Sequence, residues 1–370
     1  MEDGLIWRIC SPLEGHAASE ITRDTIASNR IRWDAILHRL HRTGLGPLFL
    51  RKAKRLGLDG HVPPYIAKSI AKERLSNMVW NTVLTTGYLE AIESLRDANI
   101  EVIALKGPFL SLLLYEDPSI RRSCDIDLLI LEQNWQPAVE SLARLGYAPP
   151  SGTAGDERLR SWRGEVTYTR RAVGNQDYEI SIELHTSVVA RTGWYDRVRR
   201  SQFTLFDHIV DIASSDRAVP YLSPPALLLH LVLHTSLHDV YHNWRGLIDV
   251  SQLTHVMNVE WGTFLGLVEC FEVQYPTYVT LHLAKHLCGA QVPPEVLRSL
   301  RPPRWLEMTL MKTAHIGMYN EGGTALLALV AFSVLAPDTW GKRWLIASEL
   351  VKRYCSREIL SHSLKFGVNG

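Results

Sequence analysis

The residues best suited to chemistry lie between Leu105 and Leu131. Asp125 and Asp127 stand two apart, and on a strand such residues project from one face. Two ionised carboxylates so placed repel each other, so one must take up a proton unless a cation lies between them. A hard divalent ion such as Mg²⁺, held by one or two carboxylates and by phosphate oxygens of a substrate, is the usual solution. Upstream, Lys106-Gly107 falls between an apolar run and a helix-like run, where backbone amides and a helix N-terminus can cradle a phosphate. Downstream, Tyr178–His185 alternates. Glu179, Ser181, Glu183 and His185 share one face, and Ile180, Ile182 and Leu184 share the other. Glu183 is thus a candidate third carboxylate, with Glu179 or Asp177 as alternatives. A D-x-D pair alone also describes a solvated strand end. Here the apolar Leu128-Leu129-Ile130 follows at once and places the pair at the mouth of a buried strand.

These groups need elements to hold them. Ile100–Leu105 reads as a short buried strand, and Pro108–Tyr115 as a helix opening on its proline. Asp125–Leu131 reads as a second strand, Gln136–Leu145 as a helix stopped by Gly146, and Val166–Arg170 as a further strand. Before them, Ile31–Leu40 is helical and stops near Gly44, and a longer periodic stretch runs from Pro63-Pro64 to about Ala98. From Ser223-Pro224-Pro225 onward the pattern is helical again, whereas 190–220 gives no clean period. The expected organisation is a helical region over 1–98, an α/β core over 99–222 and a helical region over 223–370.

The 370-residue length allows two or three domains. With 40 Lys plus Arg against 39 Asp plus Glu, the net charge is +1, which excludes an extended basic coat for nucleic acid. A hydrophobic fraction of 46% and a charged fraction of 21% exclude disorder as the main state. Five cysteines without a C-x-x-C pair fit a reduced, cytoplasmic protein. The apolar run Gly322–Pro337 falls short of the roughly 20 residues of a membrane span and reads as a buried helix.

Taken together, Leu105-Lys106-Gly107, Tyr115, Asp117-Pro118, Arg121, Asp125-Ile126-Asp127 and Glu183-Leu184-His185 resemble the bacterial family known as uncharacterised nucleotidyltransferases, within the DNA polymerase beta-like superfamily. The resemblance covers roughly 100–255. It implies an α+β fold, with a short mixed sheet flanked by helices, and transfer of a nucleoside monophosphate from an NTP to an acceptor hydroxyl or phosphate. It implies two Mg²⁺ ions about 4 Å apart, with Asp125 and Asp127 on both and Glu183 on the one nearest the acceptor. Lys106, Gly107 and Arg121 would meet the triphosphate. Two departures stand out: the superfamily's Gly-Ser turn is Lys106-Gly107 here, farther upstream, and the third carboxylate is Glu rather than Asp.

Several residues carry two readings. Arg121 either contacts phosphate or pairs with Asp117 or Asp125, leaving Arg122 for the phosphate. His185 can orient Glu183, contact substrate or make a structural hydrogen bond. His230, His234, His238 and His242 repeat every four residues. Helical drift of about 40° per step keeps all four from one ion, so they read as buried or cleft-lining histidines, or as a zinc site. The resemblance extends to His234, Trp244-Arg245-Gly246-Leu247 and Asp249, which makes Arg245 and Asp249 further nucleotide-site candidates. Asp249 equally fits as a buried partner of Arg245. The acceptor is open among small molecule, peptide, protein and RNA. Arginines at 158, 160, 163, 170, 171, 197, 199 and 200 are largely offset by Asp156, Glu157, Glu165 and Asp196. A module of the same fold that binds nucleotide without turnover is the alternative to an enzyme.

Overall fold

A computed structural model of the chain describes residues 2–12, 24–25, 31–149, 164–172, 175–188, 202–214, 217–239, 241–319, 331–332, 334–337 and 343. Four helices open it: α1 (Glu2–Cys10), α2 (Trp33–Thr43), α3 (Gly46–Arg55) and α4 (Pro64–Asp97). Gly44 closes α2 in the left-handed conformation, donating its N–H to the carbonyl of His41. Pro64 starts α4, where a missing N–H costs nothing.

A six-stranded mixed sheet follows, built from β1 (Val102–Ala104), β2 (Ile126–Ile130), β3 (Glu165–Ala172), β4 (Asn175–His185), β5 (Ile209–Ser214) and β6 (Arg217–Leu222). The spatial order is β3-β4-β2-β1-β6-β5. β2 pairs parallel with β4 and β1 parallel with β6, while the other pairs are antiparallel. The central register is decisive: Asp127 stands opposite Glu183, and Leu129 opposite His185. The carboxylates therefore share one face, and Leu128 and Leu184 share the other.

The helix α5 (Pro108–Tyr115) links β1 towards β2, and α6 (Trp135–Arg144) follows β2. The long helix α4 packs on the sheet's apolar face, where Gly87 lets Ile180 approach so closely that a Cβ there would stand 3.2 Å from it. Beyond β6, α7 (Pro224–Leu233) runs into a turn at His234–His238. Then come α8 (Trp244–Val256), α9 (Trp261–Phe271), α10 (Gln274–Cys288), α11 (Pro294–Leu300) and α12 (Arg304–Tyr319). Helices before and after the sheet pack together. Trp7 of α1 stacks on Trp244 of α8 at 4.6 Å, and Ser11 donates to the Cys288 carbonyl.

The α+β expectation agrees with this architecture. Three details differ. The second strand begins at Ile126, so Asp125 sits at its entrance rather than within it. The strands β5 and β6 form a hairpin where the sequence showed no clean period. Val166–Arg170 is the middle of a longer strand that begins at Glu165. The apolar run Gly322–Pro337 and the arginines at 158, 160, 163, 197, 199 and 200 lie wholly or mostly outside the described residues. Among the described residues no helix is long and apolar enough to cross a membrane, and Cys10, Cys124 and Cys288 are free thiols.

Candidate active site

The site is built where β1, β2, β3 and β4 present their polar face. Asp127 is its centre, 1% exposed although it is a carboxylate. Its Oδ1 lies 3.2 Å from Nε2 of His185 and 3.4 Å from the Lys106 ammonium. Its Oδ2 is buried and has no hydrogen-bond partner among the described residues. The other ring nitrogen of His185 lies 3.3 Å from Glu165, and Glu183 is 3.6 Å from Nε2. Glu165 holds that place because β3 sets it opposite His185 in register.

The turn at Lys106-Gly107 is fixed from behind. Gly107 has φ of 78°, in the left-handed region, and a Cβ on it would meet the Tyr88 ring at 2.7 Å. The Tyr88 hydroxyl donates to the carbonyl of Asp127 at 3.1 Å, and the Tyr221 hydroxyl to that of Lys106 at 3.4 Å. Two buried tyrosines thus tie the Lys-Gly turn to the aspartate strand. Pro108 then opens α5, with its N-terminus at the turn.

The charges are strongly interdependent. Burial, with Asp127 and Glu183 close by, pushes Asp125 up to about 7. Burial also opposes charge on Asp127, but Lys106 and His185 outweigh it and hold this carboxyl below its usual range. Burial works against the cations as well, yet Asp127, Asp125 and Glu183 raise Lys106, and hydrogen bonds to Asp127 and Glu183 lift His185 to about 10. Without a metal ion, one ammonium and one imidazolium balance the carboxylates. The buried, unpartnered Oδ2 of Asp127, with Asp125 and Glu183 beside it, is a set of hard oxygen donors that suits a divalent cation. Asp127, Glu183 and His185 can bring one ligand atom each within 4.8 Å of one another.

Lys106, Gly107, Asp125, Asp127, Glu183 and His185 therefore come together. Arg121, Asp249 and Arg245 gather elsewhere. Arg121 pairs with neither Asp117 nor Asp125. Its Nε donates to Oδ2 of Asp249 at 2.8 Å, and the Tyr115 hydroxyl donates to Oδ1 at 2.7 Å. Asp117 is taken by Arg74 at 2.8 Å. Arg245 does not pair with Asp249 as its spacing suggested; it donates to the carbonyl of Arg122. These residues lock the segment leading into β2 against α8. Sequence reasoning also missed Glu165, which stood one residue outside the expected strand, and the backing role of Tyr88 and Tyr221.

A second group of titratable side chains lies close enough to this cluster to share its charge. His230 and His234 on the helix after β6 feel the Lys106 charge, and Asp127 feels His234. His234 and His238 both contact Asp239.

A family model described as uncharacterised nucleotidyltransferase matches residues 29–289, well over half of the chain. No curated protein matches. A solved structure described as an antigenic nucleotidyltransferase-like protein from Paracoccidioides brasiliensis aligns with 17% identity and a TM-score of 0.30, over 51% of this chain and 87% of its own.

Proposed function

The chain belongs to the uncharacterised nucleotidyltransferase family, and from the geometry of its carboxylate cluster we propose a Mg²⁺-dependent transfer of a nucleoside monophosphate from an NTP to a hydroxyl or phosphate of an acceptor. The observation that carries this reading is the placement of Asp127: opposite Glu183 on adjacent parallel strands, 1% exposed, with one oxygen unpartnered. A buried carboxylate oxygen with no donor is costly unless a cation completes it.

Asp125, Asp127 and Glu183 would hold the metal, and two ions are proposed by analogy with the superfamily. When bound, they would neutralise charge on the phosphates and lower the barrier to displacement at phosphorus. The chain's own residues do the rest. Lys106 and the amides at the start of α5 would bind the triphosphate. Glu183, 28% exposed against 1% for Asp127, would accept the acceptor's proton. A bond forms between acceptor oxygen and the α-phosphorus, and the bond from that phosphorus to the bridging oxygen breaks. Pyrophosphate leaves with the electron pair. His185, held between Asp127, Glu183 and Glu165, orients the carboxylates and releases charge compensation when cations arrive. Arg121, Asp249 and Arg245 act as positioning residues, keeping Asp125 at the mouth of β2.

The test is incubation with each α-labelled NTP and Mg²⁺ in the presence of small-molecule, peptide, protein and RNA acceptors, reading pyrophosphate release and retained label. Wild type is expected to transfer label and Asp127→Asn to lose it. Equal behaviour of the two with every acceptor class would remove the reading.

A further inference from the structure

The four-residue histidine repeat has no part in the chemistry above, yet it has a definite shape. α7 ends at Leu233, and His234–His238 forms one π-helical turn, a local widening that recurs at functional sites. On a regular helix two residues four apart are rotated by about 40°. The rings of His234 and His238 stack across this turn, with centroids 4.6 Å apart at 21°. Asp239 closes the turn beneath them. Its Oδ2 lies 3.4 Å from Nδ1 of His234, and its Oδ1 lies 3.2 Å from Nδ1 of His238. One ligand atom from each of the three lies within 4.8 Å of the others.

A second observation is independent of that cluster. One turn earlier, His230 is 3% exposed, and neither of its ring nitrogens has a hydrogen-bond partner among the described residues. Its ring centroid is 6.3 Å from that of His234. A buried imidazole with two unused nitrogens costs stability unless something completes it. It stands next to the triad's most buried histidine.

The geometry points to a second metal centre at this turn, in which His234, His238 and Asp239 bind a borderline transition ion such as Zn²⁺. Imidazole nitrogens favour zinc over magnesium, whereas the oxygen donors of the Asp127 cluster favour magnesium. The two clusters therefore sort two kinds of ion. Three protein ligands leave the fourth position of a tetrahedral ion for water or a substrate atom, the pattern of reactive rather than purely structural zinc. The Lys106 charge acts against a cation beside His234, and its pairing with Asp127 at 3.4 Å offsets the repulsion. The site stands on these residues alone and does not depend on the transfer reaction.

The experiment uses the full chain, stripped with a chelator and titrated with Co²⁺ and then Zn²⁺ without nucleotide. The expected result is a visible tetrahedral Co²⁺ spectrum that saturates at one ion per chain, is displaced by Zn²⁺, and persists in Asp127→Asn. His238→Ala and Asp239→Asn each remove a ligand and should weaken binding by more than the about 10–100-fold that loss of an outer partner costs. His238 is 61% exposed, so its removal leaves the core intact, and a Zn²⁺-induced rise in melting temperature should vanish with it. Unchanged titration in His238→Ala and Asp239→Asn, loss of the spectrum in Asp127→Asn, or an octahedral spectrum only would each overturn the site.

Discussion

Asp127 and Asp249 are nearly matched in burial, at 1% exposure each, and each lies beside a basic side chain. They differ in how their oxygens are used. Asp249 has both occupied, one by the Tyr115 hydroxyl at 2.7 Å and one by Nε of Arg121 at 2.8 Å. Asp127 has two longer contacts crowded on Oδ1, at 3.2 and 3.4 Å, and no hydrogen bond on Oδ2 among the described residues. A buried charge that is fully coordinated from within is part of the framework. One left incomplete has room for a ligand. The framework pair joins the segment before β2 to α8, so it determines where the incomplete one stands.

Swapping the two substitutions is the strongest way to break this comparison. Asp127→Asn is expected to lower the transfer rate by about 10²–10³-fold or more, with a melting temperature close to wild type. Lys106 and His185 still face Asp125, Glu183 and Glu165 there. Asp249→Asn leaves the Arg121 charge buried without its carboxylate and is expected to cost about 3–5 kcal/mol in urea unfolding. The fraction that stays folded should lose far less activity than Asp127→Asn does. The opposite outcome, a stable Asp249→Asn and an unfolded Asp127→Asn, would reverse the two roles.

A metal titration sharpens the same contrast at smaller scale. Mg²⁺ at about 100 times its Kd should add about 2.7 kcal/mol to the stability of wild type by mass action. The gain should disappear in Asp127→Asn and persist in a chain weakened at Asp249. Thermal melts with and without Mg²⁺ read it directly, and an equal gain in Asp127→Asn would move the cation to other ligands.

Much of the incomplete site was legible because local period carries it. Alternation from Tyr178 to His185 places Glu183 and His185 on one face, and a two-residue step places Asp127 with its neighbour. Register then aligns Asp127 with Glu183, which no local pattern encodes. The framework pair was misread for the same reason: Arg121 and Asp249 are 128 positions apart, and spacing favours Asp117, Asp125 or Arg245 as partners. The hairpin of β5 and β6 was hidden by Pro220 and by exposed Val210 and Asp211, which blur an alternating pattern. The π turn was hidden because a four-residue repeat looks the same on a regular helix, whose drift keeps all four histidines from one ion but leaves a single pair open. His234 and His238 are a neighbouring pair at a four-residue step, as His282 and His286 are on α10.

Glu73 offers the mildest test, since it lies between the two cases. It sits on α4, with Oε2 buried and unbonded among the described residues and with His41 at 3.7 Å. Burial pushes its carboxyl up to about 7, against the pull of Arg122 and Arg245. Its folded value lies above the usual 4.5 of the unfolded chain. Its contribution to stability is therefore complete below about 4.5 and is lost as pH rises through about 7. Glu73→Gln keeps the shape and removes the titration. The variant should match wild type at pH near 4 and exceed it by about 1–2 kcal/mol at pH near 8, allowing for partial exposure. Urea unfolding at the two pH values measures the difference. A variant weaker than wild type at the higher pH would mean that Arg122 and Arg245 complete this carboxylate as Arg121 and Tyr115 complete Asp249, and incompleteness would then no longer follow from an unbonded oxygen alone.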